Sequence, residues 1–302
     1  MIINKIGLIG LGVIGSPIAH KLWLKYKDDF CVLASGEIKE YLTSSDIFIN
    51  DEIFAPKIIS DKHELGCELD LVIVCVKNYH LESVVDDINN VVGVNTIILP
   101  LQNGVYAYDF FKEKFHNNIV LHGYMQGPNT EVNGLNINYK NSGEIHLGSN
   151  VNPGMAIDVY NVLHVSKFPV KYENDILHMV WKKWMLNVAG NSVTALTGAD
   201  YSMFKESKEL VSICRQAMEE FLLVADASGV DLSEDDIEDI VLYYTTYSGN
   251  KKTSMLEDIV NRRRTENEYL AGYAVDIAYK YNIKIPIIES LYKLITIKEV
   301  VS

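Results

Sequence analysis

The chain has 302 residues, which is enough for one large or two ordinary domains. Apolar residues make up 48% of it and charged residues 22%, a balance that predicts a globular protein. The 27 Lys and Arg residues against 40 Asp and Glu residues give a net charge of −13, which argues against a nucleic-acid-binding or anionic-membrane surface. Because no apolar run approaches the roughly 20 residues of a membrane span, and no signal peptide precedes the first predicted strand, we expect a cytoplasmic protein.

Short buried strands alternate with helices in the first half of the chain. An apolar run at residues 5–9 predicts a strand, and residues 16–25 have helical spacing. Further buried strands are predicted at 30–34, 69–76, 95–101 and 119–123, and a further helix at 80–90. This alternation predicts a parallel, doubly wound α/β sheet. The Asn-, Gly- and Thr-rich residues 129–148 predict a small antiparallel addition at the edge of that sheet.

The pattern changes to helical periodicity near Asn174 and Asp175, a pair typical of a helix N-cap. Helices are predicted over residues 176–195, 205–228, 233–247, 266–281 and 287–300. We therefore predict a Rossmann-like domain at residues 1–173 and an all-α domain at residues 174–302, with ligands bound in a cleft between them.

A glycine-rich turn joins the first predicted strand to the first predicted helix. Its residues are Gly10, Leu11, Gly12, Val13, Ile14 and Gly15. In this context the G-x-G-x-x-G pattern is typical of dinucleotide-binding proteins. The first glycine permits a tight turn, the second lets the backbone approach a pyrophosphate, and the third lets helix pack on strand. The alternative is a purely structural turn, but the spacing favours a site for a nicotinamide dinucleotide.

The end of the second predicted strand bears on the choice between NADP and NAD. NAD enzymes usually carry Asp or Glu there, whereas this chain has Ser35, with Glu37 two residues later. The missing carboxylate favours NADP(H), although no arginine is present for a 2′-phosphate. Lys39 or Lys77 would have to supply the positive charge, and NAD stays the alternative.

Several segments, in order along almost the whole chain, resemble the ketopantoate reductase (2-dehydropantoate 2-reductase) family. They are DLVIVCVK at 70–77, LPLQNG at 99–104, WKKWMLNVAGNSVTALTG at 181–198, SMLED at 254–258 and RTE at 264–266. The third contains the K-x-x-x-N-x-x-x-N pattern of the family. The resemblance implies an NADPH-dependent reduction of 2-dehydropantoate to (R)-pantoate, in the pathway to pantothenate and coenzyme A.

The resemblance also implies roles for individual residues. Lys183 matches the catalytic lysine, and Asn103 matches a residue near the nicotinamide. The other matched positions lie on the substrate or cofactor side, at Asn187, Asn191, Ser254 and Glu266. We therefore predict catalysis by Lys183 and Glu266, substrate binding by Asn187, Asn191 and Ser254, and cofactor binding by the glycine turn with Ser35, Lys77 and Asn103. No Cys/His cluster has the spacing of a metal site, so we expect no metal.

The reduction of a 2-keto acid requires residues of these types. Reduction of a 2-keto acid needs a hydride, a proton donor for the developing alkoxide, and polar groups that orient the carboxylate. Lys183, Asn187 and Asn191 are spaced by four residues, which places them on one face of a predicted helix. A lysine ammonium can donate a proton and stabilise alkoxide charge. A solvated polar stripe is the alternative, but bulky apolar neighbours such as Trp184 and Val188 argue against it.

Three assignments have structural alternatives. Ser254 is also suited to a helix N-cap, since Glu257 follows three residues later. Glu266 is also suited to the first turn of a helix, and Asn103 to a plain turn.

The chain departs from the family at Ser35, where arginine is common, at Ser192, where proline is common, and over residues 124–129. The substrate is therefore open to alternatives, namely a different 2-keto acid or an opine or β-hydroxyacid reaction on the same two-domain plan. A dinucleotide sensor without activity is a further alternative. A homodimer is expected from the frequency of that assembly.

Overall fold

The computed structural model describes residues 2–247 and 249–301. Residues 1, 248 and 302, which the predicted domains include, lie outside the described residues. The chain divides into two compact units, Met1–Asn103 with Ala107–Leu177 and Gly104–Tyr106 with His178–Ser302. Within the described ranges, every helix is too short or too polar to span a bilayer.

The strands of the described chain lie in the first unit. They are β1 (Ile6–Ile9), β2 (Phe30–Leu33), β3 (Ile47–Ile49), β4 (Glu52–Phe54), β5 (Lys57–Ile59), β6 (Leu69–Val74), β7 (Val92–Pro100), β8 (Ile119–Val120), β9 (His122–Gln126), β10 (Asn129–Asn133), β11 (Asn136–Asn141), β12 (Glu144–Gly148) and β13 (Val170–Tyr172). The helices of the same part of the chain are α1 (Gly15–Tyr26), α2 (Gly36–Ser44), α3 (Val85–Asn89), α4 (Tyr106–Lys114) and α5 (Pro153–Val165).

A six-stranded parallel sheet is the centre of this unit, with strand order β5-β2-β1-β6-β7-β8. In its middle strand, Ile6 pairs with Phe30 on one side and with Leu71 on the other. All four residues of β1 are buried, which is expected of a parallel sheet covered on both faces. The predicted doubly wound α/β fold is confirmed. The order places the carboxyl ends of β1, β2 and β6 side by side.

Residues 129–148 form strands as predicted, but these strands do not extend the edge of the parallel sheet. Strands β10 and β11 join β3 and β4 in a separate four-stranded sheet of order β10-β11-β3-β4, while β12 lies between β13 and β9 in a three-stranded sheet. Alternating polarity predicted the strands themselves. Their pairing depends on residues far along the chain, such as Phe48 opposite Asn136, and local periodicity carries no information about such partners.

The predicted helix at 80–90 is also only partly correct. Two 3-10 turns, Asn78–His80 and Glu82–Val84, precede the short helix α3. Strands β3, β4 and β5 were not predicted, because each is only three residues long and too short to show a periodicity.

The second unit is helical, as predicted. Its helices are α6 (Ile176–Leu186, which begins at the end of the first unit), α7 (Ser192–Thr197), α8 (Lys208–Ala227), α9 (Glu234–Thr246), α10 (Ser254–Val260), α11 (Ala271–Lys280) and α12 (Pro286–Val301). The structure departs from the predicted helices at one position that bears on the predicted site residues Asn187 and Asn191. The predicted single helix at 176–195 contains a π-helical turn at Asn187–Asn191 between α6 and α7.

The glycine turn after β1 has a backbone that other residues cannot easily adopt. Gly10 has φ +100°, and a Cβ there would lie 2.7 Å from the backbone nitrogen of Val76. A Cβ on Gly15 would overlap the carbonyl oxygen of Gly10. A Cβ on Gly12 would meet no described atom within 4 Å. Gly10 and Gly15 are therefore required by the fold, whereas Gly12 is not.

We predict that Gly10→Ala lowers the free energy of unfolding by about 1–3 kcal/mol, because alanine is strained at this positive φ. Gly15→Ala destabilises the protein for a different reason, since its methyl group overlaps a backbone carbonyl. Gly12→Ala is the matched control and stays within about 0.5 kcal/mol of the unmodified protein. Urea denaturation measures all three, and an equal loss of stability in Gly12→Ala would contradict the prediction.

Candidate functional site

The glycine turn opens onto the N-terminus of α1. Ile14, at the N-cap position, makes no side-chain capping hydrogen bond within the described chain. The buried Ser16 hydroxyl has no hydrogen-bond partner among the described residues. The first turn contains no acidic residue. Free N–H groups and the helix dipole at such an end attract anions, and the open space at Gly12 leaves room for one. These residues fit the pyrophosphate of a dinucleotide.

The other residues of the turn support its shape. Leu11 and Ile14 pack against the hydrophobic core of the unit, whereas Val13 is exposed. Their backbone N–H groups are what a dinucleotide would contact, so the chemical identity of these three side chains matters less than that of the glycines.

The loops after β6 and β7 bring two predicted cofactor residues to the same sheet edge. Lys77 follows β6, next to Val76, against which Gly10 packs. Asn103 follows the neighbouring strand β7, and its carbonyl oxygen accepts a hydrogen bond of 3.2 Å from the Asn78 side chain. Gln102 donates to the carbonyl of Val76 at 2.9 Å. These bonds tie the two loops together, so the edge beside the glycine turn has a fixed shape.

Ser35 lies at the end of β2, exposed, at the N-cap position of α2. Lys39, one turn into α2, has its Nζ 2.8 and 2.6 Å from the two carboxylate oxygens of Glu64. The hydrogen bond from Lys39, with another from the Ser60 backbone N–H, lowers the pKa of Glu64 to about 2. The positive charge at this strand end is thus paired with a carboxylate.

Glu64, the carboxylate paired with Lys39, was not predicted from the sequence. The signal that was available is the spacing of Asp61 and Glu64, which form a capping box at the turn Lys62–Glu64. That turn directly follows β5, which lies beside β2.

Lys183 lies in the C-terminal half of α6 and is partly buried. Its neighbour Trp184 is fully buried and donates a hydrogen bond of 3.2 Å to the carbonyl of Leu270. Burial lowers the pKa of Lys183 to about 7, and the negative charge of Glu266 opposes that shift. Glu266 is itself only 5% exposed. The structure therefore brings the two predicted catalytic residues within electrostatic reach.

Glu266 does not begin a regular helix, which was the alternative interpretation. It precedes the 3-10 turn Asn267–Tyr269, and its carbonyl oxygen accepts from the backbone N–H groups of Tyr269 and Leu270.

Asn187 and Asn191 are the first and last residues of the π turn, and both are buried, at 7% and 4% exposure. The side-chain nitrogen of Asn187 has no hydrogen-bond partner within the described chain. A buried donor left unsatisfied costs about 1–3 kcal/mol. Asn187 is therefore suited to donate to a polar ligand.

Ser254 is exposed and is the first residue of α10. The predicted alternative, that Ser254 caps this helix, is wrong. The cap is Thr253, whose hydroxyl accepts from the Leu256 N–H at 3.3 Å and lies 2.7 Å from the Thr194 hydroxyl. Because Thr194 donates to the Gly190 carbonyl at 2.8 Å, the start of α10 is fixed against the π turn.

The pKa of Lys182 is shifted in the opposite direction to that of its neighbour Lys183. Burial favours the neutral form of Lys182, but ion pairs to Asp239 at 2.7 Å and Asp236 at 3.0 Å raise its pKa overall. Lys182 is a fully charged lysine in a carboxylate pair, whereas Lys183 titrates near neutrality.

Two models of one protein family match most of the chain. The model of the family "Ketopantoate reductase PanE/ApbA" matches residues 6–152, and that of its C-terminal part matches residues 175–299. The 2-dehydropantoate 2-reductase of Streptococcus pyogenes serotype M3 is 24% identical over 245 residues, covering 78% of this chain and 77% of that protein.

Two solved structures share the fold. A dimeric ketopantoate reductase from Staphylococcus aureus is 20% identical with a TM-score of 0.80, and D-mandelate dehydrogenase with NADH and anilino(oxo)acetate is 19% identical with a TM-score of 0.83. Each similarity covers 98% of both chains. Since the two family models together span most of the sequence, the chain belongs to the ketopantoate reductase family and is an NAD(P)-dependent oxidoreductase.

Proposed function

We propose that this protein reduces 2-dehydropantoate to (R)-pantoate with NADPH, a step toward pantothenate and coenzyme A. The observation that carries the proposal is the Coulombic interaction of Lys183, whose pKa is lowered by burial to about 7, with the buried Glu266. A general acid works best when its pKa lies near the working pH. Residues 1–173 are proposed to bind the dinucleotide and residues 174–302 to provide the catalytic and substrate-binding side chains.

Lys183 acts as the proton donor in this proposal. The bound nicotinamide dinucleotide supplies a hydride to the carbonyl carbon. The Lys183 ammonium donates a hydrogen bond to the keto oxygen and then transfers one proton to the alkoxide, leaving a neutral amine. Glu266 stabilises the ammonium form, so that a larger fraction of Lys183 is protonated at neutral pH.

The substrate is oriented by neutral donors. The Asn187 amide donates to an oxygen of the keto acid, which satisfies its otherwise unpartnered N–H group. Asn191 lies at the other end of the same π turn, and the Ser254 hydroxyl donates to the carboxylate. Orientation of this kind places the keto group for hydride transfer.

The dinucleotide is assigned to the sheet edge of the first unit. The N–H groups of residues 10–15 bind the pyrophosphate, and Lys77 and Asn103 lie toward the nicotinamide. Ser35 and Lys39 lie where the adenosine ribose binds in this type of fold, and the Lys39 charge supports NADPH.

A homodimer, as in the Staphylococcus aureus relative, is the proposed assembly, and light scattering in solution tests it.

The first experiment follows NADPH oxidation by absorbance with 2-dehydropantoate and with 2-keto acids that carry aromatic side chains. The proposal expects the highest kcat/KM for 2-dehydropantoate. The fold is shared with D-mandelate dehydrogenase, and residues 124–129 depart from the family pattern. A higher kcat/KM for an aromatic 2-keto acid would therefore replace the proposed substrate and keep the reaction type.

We predict that kcat/KM for the reduction is constant below pH 7 and falls tenfold per pH unit above about 7, because the free enzyme must hold Lys183 protonated. Lys183→Met lowers kcat by about 10²–10⁴-fold with the fold retained. Glu266→Gln removes the charge that supports the ammonium, so the break moves to lower pH. The pH profiles of kcat/KM measure these effects.

Lys182→Met is the matched control for Lys183→Met, because it removes the adjacent ammonium with its ion pairs and leaves the proposed donor in place. We expect its pH profile to match that of the unmodified enzyme. A break that stays at pH 7 in Glu266→Gln would contradict the assigned role of Glu266.

We predict that Lys39→Met weakens NADPH binding about tenfold, a loss of about 1.4 kcal/mol, and leaves NADH binding unchanged. Glu64→Gln has the opposite effect on NADPH, because it removes the negative charge paired with Lys39 while its amide oxygen still accepts from the Ser60 N–H. Fluorescence titration with each dinucleotide gives the dissociation constants without turnover. An unchanged ratio of NADPH to NADH affinity in both variants would exclude Lys39 as the 2′-phosphate residue.

A further inference from the structure

The π turn at Asn187–Asn191 has its cause outside the helix that contains it. Tyr244, on α9, is fully buried. Its hydroxyl donates a hydrogen bond of 2.7 Å to the carbonyl of Leu186 and accepts one from the backbone N–H of Gly190. In an unbroken α-helix the Gly190 N–H would donate directly to the Leu186 carbonyl. The Tyr244 hydroxyl is thus inserted into the hydrogen-bond ladder of the helix, a recognised cause of helix distortion.

Gly190 and the packing of Tyr244 show that the insertion is built into the fold. A Cβ on Gly190 would overlap the Tyr244 hydroxyl and lie 2.8 Å from its Cζ. The Tyr244 ring stacks on Phe204, with ring centroids 4.6 Å apart and an angle of 18° between the planes. The ring is therefore held in place, and only glycine at position 190 leaves room for its hydroxyl.

The π turn changes which side chains share a face with Lys183. In a regular α-helix each residue advances by about 100°, so a residue four positions on is offset by about 40° and one eight positions on by about 80°. A π turn is closed by i→i+5 bonds and contains more residues than an α turn. Each step within it therefore rotates by less than 100°, which brings Asn191 back toward the line of Lys183 and Asn187.

We propose that Tyr244 is a positioning residue of the reductase, whose hydroxyl holds the π turn and so aligns Asn191 with Asn187 and Lys183 for the keto acid. This inference rests on the proposed function. Tyr244 acts through the backbone and does not itself contact the substrate. The role is specific to the hydroxyl, because the rest of the ring only packs in the apolar interior.

The test variant is Tyr244→Phe, which deletes the hydroxyl and keeps the ring. We expect the KM for the keto acid to rise about tenfold, the equivalent of 1.4 kcal/mol, with a smaller change in kcat. The pH break set by Lys183 and the dissociation constant of the dinucleotide stay unchanged. Tyr243→Phe is the matched control, since Tyr243 is the adjacent, partly exposed tyrosine of α9, and its kinetics are expected to match those of the unmodified enzyme.

A second pair of variants tests the same bond from the helix side. Gly190→Ala pushes the hydroxyl out of the ladder and is expected to raise KM as Tyr244→Phe does. The double variant Gly190→Ala/Tyr244→Phe is expected to cost less than the sum of the single changes, because both act through one interaction. Full additivity, or an unchanged KM in Tyr244→Phe, would overturn the proposal.

A crystal structure of Tyr244→Phe gives a readout that does not depend on activity. The expected result is a regular α-helix through residues 186–191, with the Gly190 N–H bonded to the Leu186 carbonyl. A π turn that persists in this variant would refute the inferred cause. An unmodified protein that reduces no 2-keto acid would instead refute the proposed function, and the crystal structure would still decide what holds the turn.

Discussion

The Coulombic interaction between the partly buried Lys183 and the buried Glu266 is the constraint on which the proposed site of the helical unit depends. Lys183 lies on a helix whose neighbouring Trp181 and Trp184 are buried and packed edge to face, with ring centroids 5.0 Å apart. Glu266 is almost fully buried as well. An isolated buried charge is strongly unfavourable, so each group lowers the cost of the other. Burial still favours the neutral amine, which is why the pKa of Lys183 falls to about 7.

The remaining charges bear on how a protein with a net charge of −13 would bind the anionic ligands proposed above. Lys39 is paired with Glu64, and Lys182 is paired with Asp239. Besides Lys39 and Lys183, the regions proposed to bind anions present backbone N–H groups and amide side chains. Such donors are fixed in direction and remain effective in a negative field, because they attract oxygen atoms at short range. An acidic composition is therefore compatible with the binding of small anions.

Much of the fold was predictable from local sequence, because buried parallel strands and amphipathic helices have clear periodicities. The glycine turn was predictable for the same reason, since its spacing reflects backbone geometry. The features that were not predicted depend on contacts between residues distant in sequence. The pairing of β11 with β3 joins residues about 90 positions apart, and the bond that fixes the start of α10 joins Thr253 to Thr194, 59 positions away. The ion pair of Lys39 likewise could not be predicted without the position of Glu64.

The π turn is the clearest case of a local feature that depends on a distant residue. The spacing of Lys183, Asn187 and Asn191 suggests a common helix face, yet a regular helix would rotate the last residue away from the first. The face is common only when the intervening turn is widened. The widening comes from Tyr244, 58 residues from the carbonyl that it binds, so no window along the helix contains its cause. A spacing that looks sufficient in sequence thus depends on a tertiary hydrogen bond, and a relative that lacks this tyrosine would need another way to align the same residues.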